Sequence, residues 1–175
     1  MFRKFNLPVH RVDESKLKDF IRYHFPIISK KLNHGIELEL VFEKDHLARI
    51  AVNDDDIVTL YMNNVKYMIS LFETRPARKA WVLLLLAHEV LHTSAELKYE
   101  NFMNVRKYED YINEEATKFL SANYKKYSIN SIKKEYYRWG KNTMEAKAMR
   151  LKKALDYRIW ELLSFDNIHK WKKGE

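Results

Sequence analysis

The sequence predicts an α+β fold, in which a small, mostly antiparallel three-stranded sheet has one backing helix before it and two helices after it. Residues 36–43 alternate apolar and polar side chains, as a half-buried strand does. The stretches on either side of the sheet region place apolar residues at helical spacing. The chain of 175 residues contains only 3 Gly and 3 Pro, which favours long regular elements. We therefore expect one domain over residues 1–124 and a basic helical appendage over residues 125–175.

The first helix is predicted over residues 14–32. Asp13 or Ser15 can cap its start, and an apolar face that includes Leu17 and Ile21 marks its buried side. Pro26 lacks a backbone donor, so a kink or an interruption is expected there.

Three strands are predicted next, over residues 36–43, 47–52 and 57–62. The second and third are separated by the polar run Asn53-Asp54-Asp55-Asp56, which is typical of a turn. A short helix is predicted over residues 65–72.

Two longer helices follow, over residues 77–98 and 105–124. Pro76 suits the first turn of the helix over residues 77–98, because backbone amides in a first turn have no hydrogen-bond partner within the helix. After a mixed stretch over residues 128–140, the run Asn142-Thr143-Met144-Glu145 resembles a capping box that opens a helix to about residue 164.

The sequence His88-Glu89-Val90-Leu91-His92 lies on the helix over residues 77–98. Residues four apart share a helix face, so His88 and His92 can reach one ion. Two imidazoles and one further protein ligand suit Zn²⁺, with the fourth position left for water. Glu89 is then placed to act as the general base that takes a proton from the water and passes it to the leaving amine. There is no cysteine, so a bound metal must use histidine and carboxylate ligands.

The third ligand is expected from the helix over residues 105–124. On a helical wheel Glu109 lies about 45° from the centre of the apolar face, Glu115 about 75° away, and Glu114 almost opposite. Glu109 is therefore the predicted ligand and Glu115 the alternative. Asn113, one turn after Glu109, can orient a ligand or simply be a tolerated polar residue.

With these residues the chain resembles the zincin metallopeptidases, and within them the gluzincin-like group that pairs His-Glu-x-x-His with a downstream carboxylate. The stretch His88–Thr93 followed by Glu109–Asn113 is similar to predicted metallopeptidase domains with the sequence HEVLH and to compact intracellular peptidases of the ImmA/IrrE type. The resemblance covers about residues 36–124. It implies a zinc-dependent endopeptidase, with residues 57–62 as the edge strand that pairs with a substrate peptide. Tyr108 or Tyr111 is a candidate for stabilising the oxyanion.

The net charge of +8 lies entirely in residues 125–175, which carry 14 Lys/Arg and 6 Asp/Glu, whereas residues 1–124 carry 18 of each. Such a region can bind nucleic acid or an acidic partner, or it can be a solvated helix surface. An alternative function is therefore nucleic-acid binding, with a structural or degenerate zinc site. A further possibility is that residues 128–175 cover the cleft and restrain the enzyme. With no signal-peptide pattern and no apolar run long enough to span a bilayer, a cytoplasmic protein that acts on proteins or peptides and has no membrane contact is expected.

Overall fold

The computed structural model describes residues 11–32, 35–42, 50–54, 56–70, 72–93, 104–127 and 129–132. These residues form an α+β fold with a three-stranded sheet. The elements in chain order are α1 (Glu14–Lys31), β1 (Glu37–Val41), β2 (Ala51–Asp54), β3 (Ile57–Tyr61), α2 (Met62–Ser70), α3 (Arg75–His92) and α4 (Val105–Asn123).

Helix α1 begins where the sequence predicts it. The carboxylate of Asp13 accepts a hydrogen bond from the backbone N–H of Lys16, so Asp13 rather than Ser15 is the cap. Pro26 lies inside the helix without ending it. The buried face of α1, which includes Ile21 and Phe25, packs against α3.

The order of strands in the sheet is β1-β3-β2, with β3 in the centre. β3 runs parallel to β1 and antiparallel to β2, so the sheet is mixed and the expectation of a mostly antiparallel sheet is wrong. The expectation that residues 57–62 form an edge strand is wrong as well. The physical reason is burial, because Val58 and Leu60 of β3 are completely inaccessible to solvent and therefore favour the central position.

The hairpin between β2 and β3 is tighter than the sequence predicts. β2 extends through Asn53 and Asp54, which pair with Val58 and Ile57 of β3, although both were expected in the turn. Residues 47–49, the first part of the predicted second strand, lie outside the described residues. The shift places Asn53 on a strand that faces the functional site, as shown below.

Helix α3 is the centre of the fold and packs against α1, α2, α4 and β2. Thr74 caps its start, and Pro76 lies in its first turn as predicted. Its run of apolar residues, from Ala80 to Ala87, is buried without interruption. The helix ends at His92 rather than at residue 98, and residues 94–103 lie outside the described part of the chain. The His-Glu-x-x-His motif thus occupies the last turns of a helix that is buried along most of its length.

The predicted C-terminal region is described only at its start. Residues 129–132 are helical, and Ile132 belongs to the same hydrophobic core as α1, α3 and α4. The predicted helix over residues 142–164 lies outside the described residues. Among the residues that are described, no helix is both long enough and apolar enough to cross a membrane.

Candidate metal centre

The two histidines of the motif face each other at the C-terminal end of α3. Their Nε2 atoms are 2.9 Å apart, and the ring centroids are separated by 4.5 Å with the rings nearly perpendicular. Each side chain is only 13% exposed. The spacing of four residues therefore brings two imidazole nitrogens to one partly buried point, as the sequence predicts.

Glu109 of α4 completes the group. Its Oε2 lies 3.3 Å from the Nε2 of His88, and its Oε1 lies 3.5 Å from the Nε2 of His92. Ligand atoms of His88, His92 and Glu109 all lie within 4.8 Å of one another, so the group can hold a metal ion. The helical-wheel argument for Glu109 agrees with this geometry.

The alternative carboxylates on α4 point elsewhere. Glu115 forms an ion pair with Lys118 at 2.9 Å, and Glu114 pairs with the same lysine at 3.0 Å. The side chain of Glu114 is 65% exposed. Glu115 is therefore not placed with the histidines, although it was the second candidate for the third ligand.

The donor set passes a simple geometric test for zinc. Two nitrogen or oxygen ligands at about 2.05 Å from a tetrahedral Zn²⁺ are separated by about 3.3 Å. The Nε2 atoms of His88 and His92 are 2.9 Å apart, and each has a different oxygen of Glu109 near it, Oε2 at 3.3 Å from His88 and Oε1 at 3.5 Å from His92. Each of these pairs taken singly lies within a few tenths of an ångström of the separation that a tetrahedral ion requires.

Two further residues of α4 contact the histidines from outside the group. The hydroxyl of the buried Tyr108 lies 3.0 Å from the Nδ1 of His92. The side chain of the buried Asn113 acts on His88 and raises its pKa. An imidazole that binds metal through Nε2 carries its proton on Nδ1, and both neighbours offer an oxygen that suits this tautomer. The role of Asn113 as an orienting residue, one of two suggested by the sequence, is favoured.

Glu89 is held by the sheet. Its side chain is almost completely buried, and its Oε2 accepts a hydrogen bond of 2.8 Å from the Nδ2 of Asn53 on β2. The Oδ1 of Asn53 is buried and has no hydrogen-bond partner among the described residues. One end of the Asn53 carboxamide is therefore fixed on Glu89.

The surroundings of His88 and Glu109 favour a positive charge on the histidine and a negative charge on the carboxylate. Burial alone would lower the pKa of His88, but the hydrogen bond to Glu109 and the negative charges of Glu89 and Glu109 outweigh it, and the pKa is raised. Burial would raise the pKa of Glu109, yet hydrogen bonds from the two histidines lower it to about 2. Burial and the nearby charges of Glu109 and Glu89 raise the pKa of Tyr108, which keeps its hydroxyl protonated. Glu109 is thus ionised, as a metal ligand must be.

The sequence did not indicate the contact of Asn53 with Glu89 or that of Tyr108 with His92. Asn53 lies in a polar run that is typical of a turn, so nothing in the sequence connected it with residue 89. Tyr108 was considered for oxyanion stabilisation, but its hydroxyl is engaged with the ring of His92. Asn53 could have been found by looking for polar residues at the end of the strand that lies next to the helix with the His-Glu-x-x-His motif.

No protein-family profile matches this chain, and no curated protein and no solved structure shows significant similarity to it. The function is therefore inferred from the geometry of the site.

Proposed function

We propose that this protein is a zinc-dependent metallopeptidase of the zincin type, in which His88, His92 and Glu109 bind the metal and Glu89 is the general base. The observation that supports this most strongly is the convergence of His88, His92 and Glu109, each of which offers a ligand atom within 4.8 Å of the other two. Glu89, on the same helix turn as His88, adds a buried carboxylate beside that point. A set of two histidines and one carboxylate is typical of catalytic rather than structural zinc, since structural sites usually contain cysteine.

The side chains divide the work of peptide hydrolysis. A zinc ion held by this group supplies a Lewis acid that polarises a carbonyl and makes water more acidic. Glu89 accepts a proton from the attacking water and then donates it to the amine that leaves. Asn53 holds the carboxylate of Glu89 through its Nδ2, and Tyr108 holds the ring of His92 through its hydroxyl. These contacts limit the rotation of the two groups that must be aligned with the substrate.

The proposed substrate is an extended peptide that adds to the edge of β2. Within the described strands, β2 pairs with β3 on one side only, and it carries the asparagine that touches Glu89. Backbone groups along such an edge can pair with a peptide and so hold a bond next to the catalytic carboxylate. The edge of β2 thus takes the place of residues 57–62, which form the central strand, as the expected peptide-binding edge. An edge that accepts continuous backbone favours an endopeptidase.

The metal content of purified protein tests the site. We expect about one zinc per chain in the wild type by elemental mass spectrometry, and loss of the metal in Glu109→Ala. Glu115→Ala is the matched control, because it removes the same carboxylate from the same helix but from a residue that pairs with Lys118. Equal loss of zinc in both variants, or retention in both, contradicts Glu109 as a ligand.

The catalytic role is tested separately with Glu89→Ala. We expect this variant to retain zinc and to lose hydrolysis of a mixed peptide library analysed by mass spectrometry. Loss of zinc would mean that Glu89 has a structural role. A wild type that binds zinc but cleaves no peptide would favour the alternative of a degenerate site.

A further inference from the structure

A cluster of aromatic side chains lies on the surface where α1 meets the end of α4. The rings of Tyr23 and His24 are perpendicular with centroids 4.9 Å apart, and His24 contacts Tyr124 in the same way at 5.4 Å. Phe20 continues the cluster, with centroid distances of 4.4 Å to His24 and 6.4 Å to Tyr127. Tyr23 is the most exposed large hydrophobic residue of the described chain, at 68%.

Lysine side chains surround these rings. The ammonium of Lys79, at the start of α3, lies 5.5 Å from the ring centroid of Phe20 and 5.6 Å from that of Tyr127. Lys31 donates a hydrogen bond of 2.8 Å to the amide oxygen of Asn123, which is a neutral partner. Lys125 and Lys126 are exposed between Tyr124 and Tyr127. We call this set the aromatic–basic surface: Phe20, Tyr23, His24, Lys31, Lys79, Tyr124, Lys125, Lys126 and Tyr127.

The electrostatic environment of His24 shows the sign of the local potential. Burial lowers the pKa of this histidine, and the positive charge of Lys79 lowers it further. Asp19, one turn before Tyr23 on α1, is the nearest acidic residue along the helix, and it does not offset this effect on His24. The positive charge of Lys79 therefore acts within the ring cluster, as its distances to Phe20 and Tyr127 also indicate.

This surface is separate from the metal centre. Lys79 precedes His88 by nine residues on the same helix. At a rise of about 1.5 Å per residue the two are about 13 Å apart along α3. The surface also marks the start of the segment, residues 125–175, that carries the whole net charge of the protein.

We propose that the aromatic–basic surface binds single-stranded nucleic acid. The exposed ring of Tyr23, with half-buried rings beside it, provides a planar face on which an unpaired base stacks, and lysines beside the rings contact phosphates. An acidic protein would use the lysines but has no need for the exposed ring of Tyr23. Paired bases in a duplex do not offer their faces, so single strands are the better partner.

The test is the affinity of the full chain for a labelled oligothymidylate longer than the roughly 4–16 nucleotides that such sites cover. Fluorescence anisotropy at several salt concentrations gives both the dissociation constant and the salt slope. We expect Tyr23→Ala to weaken binding by about tenfold and Tyr23→Phe, which keeps the ring, to leave it unchanged. Lys79→Gln should reduce the salt slope by about one.

Arg22→Gln is the matched control, because it removes the same charge from an exposed residue of α1. Successive helix positions are rotated by about 100°, and Arg22 lies on the side away from His24 and Lys31. We expect its affinity to equal that of the wild type. All these residues are exposed, so folding should be unaffected, and a thermal melt of each variant checks this.

Three results would overturn the proposal. The first is equal loss of affinity in Arg22→Gln and Lys79→Gln, since binding would then reflect total charge alone. The second is binding of poly-glutamate as tightly as the oligonucleotide, which would identify an acidic protein as the partner. The third is unchanged affinity in Tyr23→Ala. Because the metal ligands are not altered in any variant, these results are independent of peptidase activity.

Discussion

Replacing Tyr108 by phenylalanine tests how the metal centre is oriented. The substitution removes the hydroxyl that lies 3.0 Å from the Nδ1 of His92 and keeps the buried ring. When His92 binds metal through Nε2, its Nδ1–H donates to this oxygen. Without that acceptor the ring is freer to rotate and its proton is left without a partner, so zinc should bind more weakly.

The size of the effect follows from the kind of contact. Loss of a residue that orients a metal ligand typically costs about 10–100-fold in metal affinity, or about 1.4–2.7 kcal/mol. A neutral hydrogen bond contributes about 0.5–1.5 kcal/mol net. Since the hydroxyl of Tyr108 is an uncharged acceptor, we expect the lower end of the range, a rise of about tenfold in the dissociation constant for zinc.

Competition with a chromogenic chelator measures that constant. Tyr111→Phe is the control, because Tyr111 lies on the same helix but is 37% exposed. Equal zinc affinity in wild type and Tyr108→Phe would show that the hydroxyl does not orient His92. An equal loss in both variants would trace the effect to α4 as a whole.

Three further outcomes are expected. Asn53→Ala should lower kcat of peptide hydrolysis by at least tenfold and leave the zinc content unchanged, because Asn53 contacts Glu89. Steady-state kinetics and elemental analysis measure the two quantities. Loss of zinc from the variant would contradict this role of Asn53. The pKa of His24 should lie below 6.5 in a nuclear magnetic resonance titration, and Lys79→Gln should raise it. The unfolded chain binds a proton at His24 more readily than the folded chain does, so the contribution of His24 to the free energy of unfolding should decline as the pH falls through 6.5. An unchanged His24 pKa in Lys79→Gln would contradict the effect of the lysine charge. Leu84→Ala in the core of α3 should reduce the free energy of unfolding by about 2–5 kcal/mol in a urea titration, and a smaller loss would mean that the cavity collapses.

The helices were predictable from the sequence because their signals are local. The signals used were the cap Asp13, Pro76 in the first turn of α3, and the apolar spacing along α1, α3 and α4, and all of them depend on residues within one or two turns. The same periodicity distinguished Glu109 from Glu115, since the side of a helix that faces the core also faces the neighbouring helix.

The strand order could not be obtained in this way. Alternation of apolar and polar residues locates a strand but contains no information on which strand it pairs with. Consecutive strands suggest an antiparallel meander, whereas here β3 inserts between β1 and β2 because it has the most buried residues. Asn53 was missed for the same reason, since its contact with Glu89 joins residues 36 positions apart.

The His88–His92–Glu109 group and part of the hydrophobic core both lie where α3 packs against α4. On α4 the residues Glu109, Ile112, Asn113 and Ala116 follow the spacing of a single helix face. Ile112 and Ala116 are completely buried, whereas Glu109 and Asn113 of the same face meet the histidines of α3. The packing of Ile112 and Ala116 therefore sets the distance at which Glu109 approaches His88 and His92. A site built on two rigid helices in this way holds its donor atoms close to bonding positions before any ion arrives, and this reduces the reorganisation that metal binding requires.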